Sequence, residues 1–406
     1  MNRQLARLFS IAKQESRTIL GLMSGTSLDG LDVAVCKISG SGASSKLKVL
    51  RFQTMPYSNE FTTLVRRVFA KDQIRQTDLS GLHVLIADTH ALLVTKALQD
   101  WGIQPINIDF IASHGQTVFH APHSQTADRN YPNHTLQIGD GDHLAVKTGI
   151  ITISDFRQKH VAAGGEGAPL ALYGDFLLFS DPDESRVLLN MGGIANFTFL
   201  PSKQCQAAGH GAFASDTGTA NTLMNQYMQK HFGLSMDEEA RIALQGRVHE
   251  PLLNSLLDDP FFIRPLPKTT GPELFNLEYL HRAMERANCI DLKHEHVMAT
   301  LCAFSAQGIS KAIRTVVQNL PYGEQVQIYA SGGGLSNPLL MKQIKQSISQ
   351  DNLRIQSFAE LGLEPDAKEA ALFAVLANET VVGQPEHVRG LNGAPAVCMG
   401  KISLPS

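Results

Sequence analysis

Cysteine is scarce in this chain and poorly placed for cross-linking: Cys36, Cys205, Cys289, Cys302 and Cys398 are odd in number, widely scattered and without a Cys-x-x-Cys pair. A disulfide framework and a zinc knuckle are thereby excluded, and a reducing compartment fits best. Charge of one sign is lacking too, since 35 Lys and Arg oppose 38 Asp and Glu for a formal net charge of -3. With no broad basic field, nucleic acid and anionic membrane surfaces are excluded as main partners, which leaves a small ligand. No stretch supplies the roughly 18 unbroken apolar residues of a membrane span. Met1 to Arg17 carries basic residues but not the apolar core of a secretory signal, so a cytoplasmic protein is expected, with residues 1–17 as an N-terminal extension. Two nucleotide motifs are absent as well. Neither Gly-x-x-x-x-Gly-Lys-Ser/Thr nor Gly-x-Gly-x-x-Gly occurs, which removes the P-loop and the standard dinucleotide fold.

What the chain does have is glycine, 33 residues of it, and length: 406 residues are too many for one ordinary core and favour two lobes around a cleft. An apolar strand at Thr18 to Met23 is broken by Ser24-Gly25-Thr26-Ser27-Leu28-Asp29-Gly30 and resumes at Leu31 to Ile38, which predicts a hairpin. The same grammar returns where Val187-Leu188-Leu189 meets Asn190-Met191-Gly192-Gly193-Ile194-Ala195-Asn196 and then Phe197 to Leu200. Ile108 to Gly115 and Gln327 to Gly334 form a second echo, each an apolar strand ending in Ala-Ser and then glycine within a residue or two. Helical periodicity marks Leu79 to Trp101, Thr217 to His231, Glu273 to Ala287, Val297 to Leu320 and Asp366 to Thr380. The expected fold class is α/β, with a first lobe over 18–180 and a second over 181–406, although any two α/β halves can share glycine turns.

A glycine hairpin suits phosphate because residues without a Cβ let backbone N–H groups approach its oxygens. Gly25, Thr26, Ser27, Leu28, Asp29, Gly30, Leu31 and Asp32 could do this, with Asp29 orienting a metal-bound water or merely satisfying the turn. Gly192 and Gly193 repeat the pattern, and two such turns would clamp β- and γ-phosphates. Gly332, Gly333 and Gly334 precede Ser336-Asn337-Pro338, a plausible helix start, and could pack on adenine and ribose or simply turn the chain. Asp216 is expected just before a helix, either as its cap or as a carboxylate that accepts a proton. His114, Gln116, Asp155 and Arg157 follow strands and offer the donors and acceptors a sugar needs. Gln137 to Asp140, with Asp142 and His143, reads either as a metal-like cluster or as a capped loop, and Glu369 on a strong helix former reads alone as a surface charge.

Taken together, Gly21-Leu22-Met23-Ser24-Gly25-Thr26-Ser27-Leu28-Asp29-Gly30, Ser113-His114-Gly115-Gln116-Thr117, Asp155-Phe156-Arg157, Ala162-Ala163-Gly164-Gly165, Asn190 to Asn196 and Asp216-Thr217-Gly218 resemble the anhydro-N-acetylmuramic acid kinase family, from Thr18 to about Val397. The resemblance implies two duplicated ribonuclease-H-like lobes of the actin/hexokinase type, with ATP in the cleft. It implies a coupled reaction in which water opens the 1,6-anhydro ring of the sugar while its 6-oxygen takes the γ-phosphate, with Mg²⁺ on the phosphates. Asp216 would be the base, the Gly25–Asp32 turn would hold ATP with Gly192, Gly193 and Gly332 to Gly334, and His114, Gln116, Asp155, Arg157 and Glu369 would line the sugar pocket. The metal ligands stay unassigned, and a homodimer in bacterial cell-wall recycling is implied. Four places depart from the family pattern: His160, Glu166, Ala171 to Asp175, and Ala396 to Gly400. Rival readings are a kinase for another amino sugar, an actin-like or chaperone-like ATPase, and a sugar-binding regulator that has lost turnover.

Overall fold

Aliphatic residues on both strand faces generate a central parallel pair in each half of the chain. The computed structural model describes residues 2–123, 126, 130–349 and 353–406. The chain divides into two units, one of Met1–Phe179 with Gly362–Ser406, the other of Ser180–Leu361.

In the first unit β1 (Ser16–Ser24) and β2 (Gly30–Ser39) form an antiparallel hairpin closed at Ser24 and Leu31, and β3 (Lys46–Pro56) continues it. On its other side β1 runs parallel to β4 (Phe110–Ala121), which pairs antiparallel with β5 (His134–Ile138) and parallel with β6 (Thr152–Ser154). A last strand, Lys401–Ser403, closes the edge against β6. Leu20 and Leu22 of β1 share a buried cluster with Ala91, Val94 and Leu98 of helix Gln76–Asp100. That helix is long and apolar enough to cross a membrane by length and composition, yet one face belongs to the core of this unit. Gly21 points the other way by strand alternation. A Cβ on it would lie 1.9 Å from the carbonyl oxygen of Ala370, so helix Lys368–Val382 sits directly on the strand backbone.

In the second unit β7 (Ser185–Met191), β8 (Ile194–Leu200) and β9 (Phe213–Thr219) form an antiparallel meander. β10 (Val326–Ser331) runs parallel to β7, and β11 (Ile355–Ser357) parallel to β10. The order β9-β8-β7-β10-β11 repeats β3-β2-β1-β4-β6 in sequence and direction. What looked like repeated glycine hairpins is therefore a repeated topology, the duplicated arrangement the resemblance implies. One core holds Val187, Leu189, Phe197, Ile309, Ile313 and Ile328, another the rings of Phe261, Phe262, Phe275, Tyr279 and Phe304.

Three expectations need correction. Residues 362–406 do not stay with the second unit, because helix Lys368–Val382 and strand Lys401–Ser403 complete the first. Residues 1–17 are not a separate extension: Asn2 caps helix Arg3–Ala12, and buried Arg17 in β1 donates to Asn378 Oδ1 at 2.6 Å. The stretch from Thr217 is not helical. It ends β9, and the helix is Thr222–Phe232, because β8 recruits Asp216 and Gly218 as partners of Asn196 and Ala195.

Candidate active site

The turn between β1 and β2 is tied down from both ends. Leu28 takes a left-handed φ of 59°, uncommon for a branched side chain, and keeps it because its side chain joins Ile86, Val118 and Ile138 in the core. Ser27 Oγ donates to Asp29 Oδ1 at 2.6 Å, and the Gly30 amide donates to the same oxygen at 3.1 Å. The Ser27 hydroxyl first, and the backbone amides of Asp29 and Gly30, hold the Asp29 carboxyl below its ordinary range against a smaller opposing effect of burial, so it is an anion at neutral pH. Asp32 accepts from Thr54 Oγ1 at 2.6 Å, while burial, with Asp29 and Asp366 nearby, raises its carboxyl.

An irregularity in the β1–β4 pairing delivers Gln116 to this turn: Leu22 faces Ser113, but Ser24 faces Gln116, so β4 carries one extra residue at His114-Gly115. Gly115 accommodates it with φ 72°. Gln116 is fully buried, its Oε1 accepts from Ser24 Oγ at 2.5 Å, and its Nε2 donates to Gly25 O at 3.2 Å and Thr117 O at 3.1 Å. Both ends of the amide are used inside the chain. Gln116 thus braces the turn instead of presenting itself to a sugar, because the extra residue turns it inward.

His114 and Arg157 do meet. Arg157 Nε donates to His114 Nε2 at 3.0 Å, which makes Nδ1 the protonated nitrogen, donating to Gly115 O at 2.9 Å. Burial first, and the guanidinium second, push His114 well below its ordinary pKa, so it stays neutral. Arg157 Nη1 also donates to Gly167 O at 3.1 Å. Burial lowers Arg157 to about 10, with Glu369 opposing. Glu369 reaches solvent, but the protein around it raises its carboxyl, with Asp32 adding to the shift and Lys368 and Arg157 opposing it. It is therefore no isolated surface charge. Asp155 has another partner, an ion pair with Lys401 Nζ, and holds a left-handed φ of 56°.

Two of the positions that the resemblance marks as departures lie next to these groups. His160 is buried, accepts the Gly167 amide at Nδ1 across 2.9 Å and packs edge-on against Tyr173, so it supports the loop that Arg157 also holds. Asp175, in helix Ala171–Phe179, is buried and paired with Lys368 Nζ at 2.8 Å, one residue from Glu369. The cluster around Gln137 to His143 resolves as a capped helix, with Asp140 Oδ1 accepting from the amides of Asp142 and His143. Among the described residues no group of three or more His, Cys, Asp or Glu is arranged to hold a metal ion by itself.

In the second unit Asp216 sits on a strand irregularity of its own. Gly218 faces Ala195 and Asp216 faces Asn196, so Thr217 is the extra residue, and its Oγ1 donates to Ala195 O at 3.1 Å. Such bulges re-aim the neighbouring side chain. The segment Lys268 to Thr270, which the sequence reading missed, is laced to it. Lys268 O accepts the Asp216 amide at 2.9 Å, Ser215 Oγ accepts the Lys268 amide at 3.0 Å, and the Thr270 amide donates to Asp216 Oδ2 at 2.8 Å. Burial raises the Asp216 carboxyl to about 6, the Thr270 hydrogen bond opposing and the Glu273 charge assisting. A half-buried carboxylate so poised is ionised at neutral pH and basic enough to take a proton.

The second glycine turn is fixed by its carbonyls. Asn221 Nδ2 donates to Gly192 O at 2.8 Å, and the amides of Ala220 and Thr222 reach Gly193 O at 2.8 and 3.1 Å. The third glycine group turns from β10 toward helix Pro338–Ser349, with Asn337 Oδ1 accepting the Leu340 amide at 2.9 Å. The glycines divide by what a Cβ would meet. At Gly30, Gly193, Gly332 and Gly334 it would fall 2.6–2.7 Å from protein atoms, whereas at Gly25 and Gly192 nothing lies nearer than 3.6 and 3.7 Å, and at Gly333 nothing lies within 4 Å. Gly30, Gly332 and Gly334 face backbone or Cβ atoms that cannot give way, and at Gly193 the near atom is the rotatable Thr222 hydroxyl; the other three have room for a methyl group, in ordinary contact at Gly25 and Gly192 and in open space at Gly333.

The chain matches the family profile of anhydro-N-acetylmuramic acid kinase over residues 17–404. It is 49% identical to the anhydro-N-acetylmuramic acid kinase of Pseudoalteromonas atlantica, covering 100% of both chains, and 35% identical to that of Caldanaerobacter subterraneus, covering 98% of this chain and 100% of the other. A ROK hexokinase from Thermus thermophilus is a structural neighbour at 14% identity and a TM-score of 0.35, covering 89% of this chain and 98% of that one, too loose a superposition to carry an argument. The family profile and the relatives, matched along nearly their whole length, place this chain in the anhydro-N-acetylmuramic acid kinase family.

Proposed function

We propose that the chain is an ATP-dependent kinase that opens the 1,6-anhydro ring of 1,6-anhydro-N-acetylmuramic acid with water and phosphorylates its 6-oxygen, giving N-acetylmuramic acid 6-phosphate and ADP in bacterial cell-wall recycling. Family membership supports the substrate, and the observation that carries the chemistry is Asp216, strapped by Thr270 and raised to about 6. Asp216 takes a proton from water as the water oxygen bonds to the anomeric carbon. The bond from that carbon to the 6-oxygen breaks, and the 6-oxygen takes the γ-phosphoryl group, releasing ADP. An acetal resists water at neutral pH, so ring opening relies on a positioned base and on a leaving oxygen that is captured as it departs.

Glycines with room for a methyl group beside the backbone, Gly25, Gly192 and Gly333, fit a nucleotide, the first two at phosphates and the third beside adenosine. The donors near the first turn fit Mg²⁺: the carboxylates of Asp29 and Asp32 are hard oxygen ligands, and that ion is commonly held by one or two carboxylates together with substrate phosphates. Bound there, it would neutralise charge on the phosphates. Arg157, oriented by His114, and Glu369 offer hydrogen bonds to the sugar. A cytoplasmic location and a homodimer complete the reading, the latter checked by light scattering of the purified protein.

The test is ADP release with Mg-ATP, comparing the anhydro-sugar with N-acetylmuramic acid, N-acetylglucosamine and glucose, followed by mass analysis. Turnover with the anhydro-sugar alone, and a product heavier by one phosphate and one water, is the expected result. Phosphate gain without water overturns the coupled reaction, and preference for another sugar overturns the substrate.

A further inference from the structure

A chain of buried and part-buried hydrogen bonds runs from the core of the first unit to its glycine turn. His90 Nε2 lies 2.8 Å from Tyr57 Oη, Tyr57 Oη lies 2.7 Å from Ser24 Oγ, and Ser24 Oγ lies 2.5 Å from Gln116 Oε1. Gln116 Nε2 then reaches Gly25 O at 3.2 Å. The direction of every bond is determined. Gln116 Nε2 donates to two carbonyls, so its Oε1 is the end facing Ser24 and can only accept. The single Ser24 proton is spent on that oxygen, so Tyr57 donates to Ser24, and the Tyr57 oxygen accepts from His90 Nε2–H. His90 is buried, and that burial lowers its pKa to about 4, which keeps it a neutral donor of fixed tautomer near neutral pH.

The end of the relay sets a peptide plane. In a trans peptide the carbonyl and the following N–H point in opposite directions, and the Gly25–Thr26 bond is not among the cis bonds of the chain. Gln116 draws the Gly25 carbonyl inward, so the Thr26 amide is turned outward. We infer that Tyr57 and His90 are positioning residues for nucleotide: through Ser24 and Gln116 they hold the Gly25–Thr26 peptide so that the Thr26 amide meets a phosphate oxygen. The inference rests on the proposed role of this turn at ATP phosphates. It gives a use to two polar side chains that the chemistry leaves idle, one of them in the middle of a core helix.

The experiment measures, on the full chain, calorimetric binding of Mg-ADP and of a non-hydrolysable ATP analogue, steady-state constants for ATP and sugar, and thermal midpoints. Tyr57→Phe removes one hydroxyl and should weaken nucleotide binding about tenfold, the scale of one lost hydrogen bond, with KM for the sugar unchanged. His90→Leu should do the same and His90→Gln, which keeps an N–H donor, should recover most of the loss. The Tyr57→Phe/His90→Leu double variant should be no worse than Tyr57→Phe alone, since both cut one relay. Unchanged nucleotide binding with a lower thermal midpoint would reduce the relay to core packing and overturn the inference, as would additive losses. Wild-type chain that binds no nucleotide overturns it also. Nucleotide binding without turnover of the anhydro-sugar overturns the proposed substrate instead and leaves the relay to be judged on binding.

Discussion

The Thr270 amide donates to Asp216 Oδ2 across 2.8 Å and restrains a carboxyl otherwise pushed upward by burial and by Glu273. The two residues are 54 positions apart, and Lys268, through its own carbonyl to the Asp216 amide, fixes the register of the strap. A base needs to be ionised to work. With its pKa near 6, Asp216 should give kcat/KM an acid limb with an apparent pKa near 6, activity falling as pH drops through it. A pH–rate profile measured from pH 5 to 9 at fixed Mg-ATP checks this; an acid limb near the ordinary carboxylate value would remove the raised base. Asp216→Asn should cost roughly 10²- to 10⁴-fold in turnover while nucleotide binding stays.

The same shift predicts stability. Unfolded, the carboxyl titrates near about 3.9; folded, near 6. Its folded-state pKa is raised, so the native chain holds the extra proton between those values, and stability falls as pH rises through that window. Above it the buried charge imposes its full cost. Asp216→Asn should therefore stabilise the protein at neutral pH by about 1–3 kcal/mol, a figure tempered by the partial exposure of the group, and have no effect below about pH 4. Urea melts of both proteins at the two pH values make the comparison.

The hairpins and the duplicated strand order were legible because glycine and polar residues interrupt apolar runs twice in the same way. Asp216 was legible as a base candidate but not in its setting. Asp-Thr-Gly resembles a helix cap, and the bulge at Thr217 exists only because Asn196 and Ala195 of β8 lie opposite. Gln116 was misplaced for a similar reason, since its inward turn depends on the extra residue in β4. Thr270, Tyr57 and His90 carry no local signal at all; their partners stand 54, 33 and 33 residues away. The return of residues 362–406 to the first unit is written in Gly21, but a strand glycine does not say which backbone approaches it.

Arg157 makes its two contacts at different nitrogens, Nε to His114 and Nη1 to Gly167 O. Lysine has one ammonium and cannot span both. Arg157→Lys should release either the ring or the loop, raising KM for the sugar by about tenfold, as for one lost charged hydrogen bond, while KM for ATP holds. Because His114 is neutral and buried beside this group, it should contribute no inflection to the profile between pH 6 and 8. Steady-state constants for both substrates decide the first point, and NMR titration of the imidazole the second.

The sorting of glycines by available space yields a test that separates fold from ligand. Gly192 and Gly333 have room for a methyl group and backbone angles outside the left-handed region, so alanine there should leave the thermal midpoint nearly unchanged. Nucleotide that approaches either backbone closely would meet that methyl, and affinity should fall by about tenfold or more, the cost of an overpacked contact of 1–3 kcal/mol. Gly332→Ala should behave in the opposite sense. Its φ is 89° and a Cβ would stand 2.7 Å from Asn190 Oδ1, so the substitution strains the backbone and pushes on β7, lowering stability. Binding titrations and melts on the three variants distinguish the cases: weaker nucleotide with an intact fold at Gly192 and Gly333 places ligand at those turns, and unaltered affinity there would leave them as turns alone.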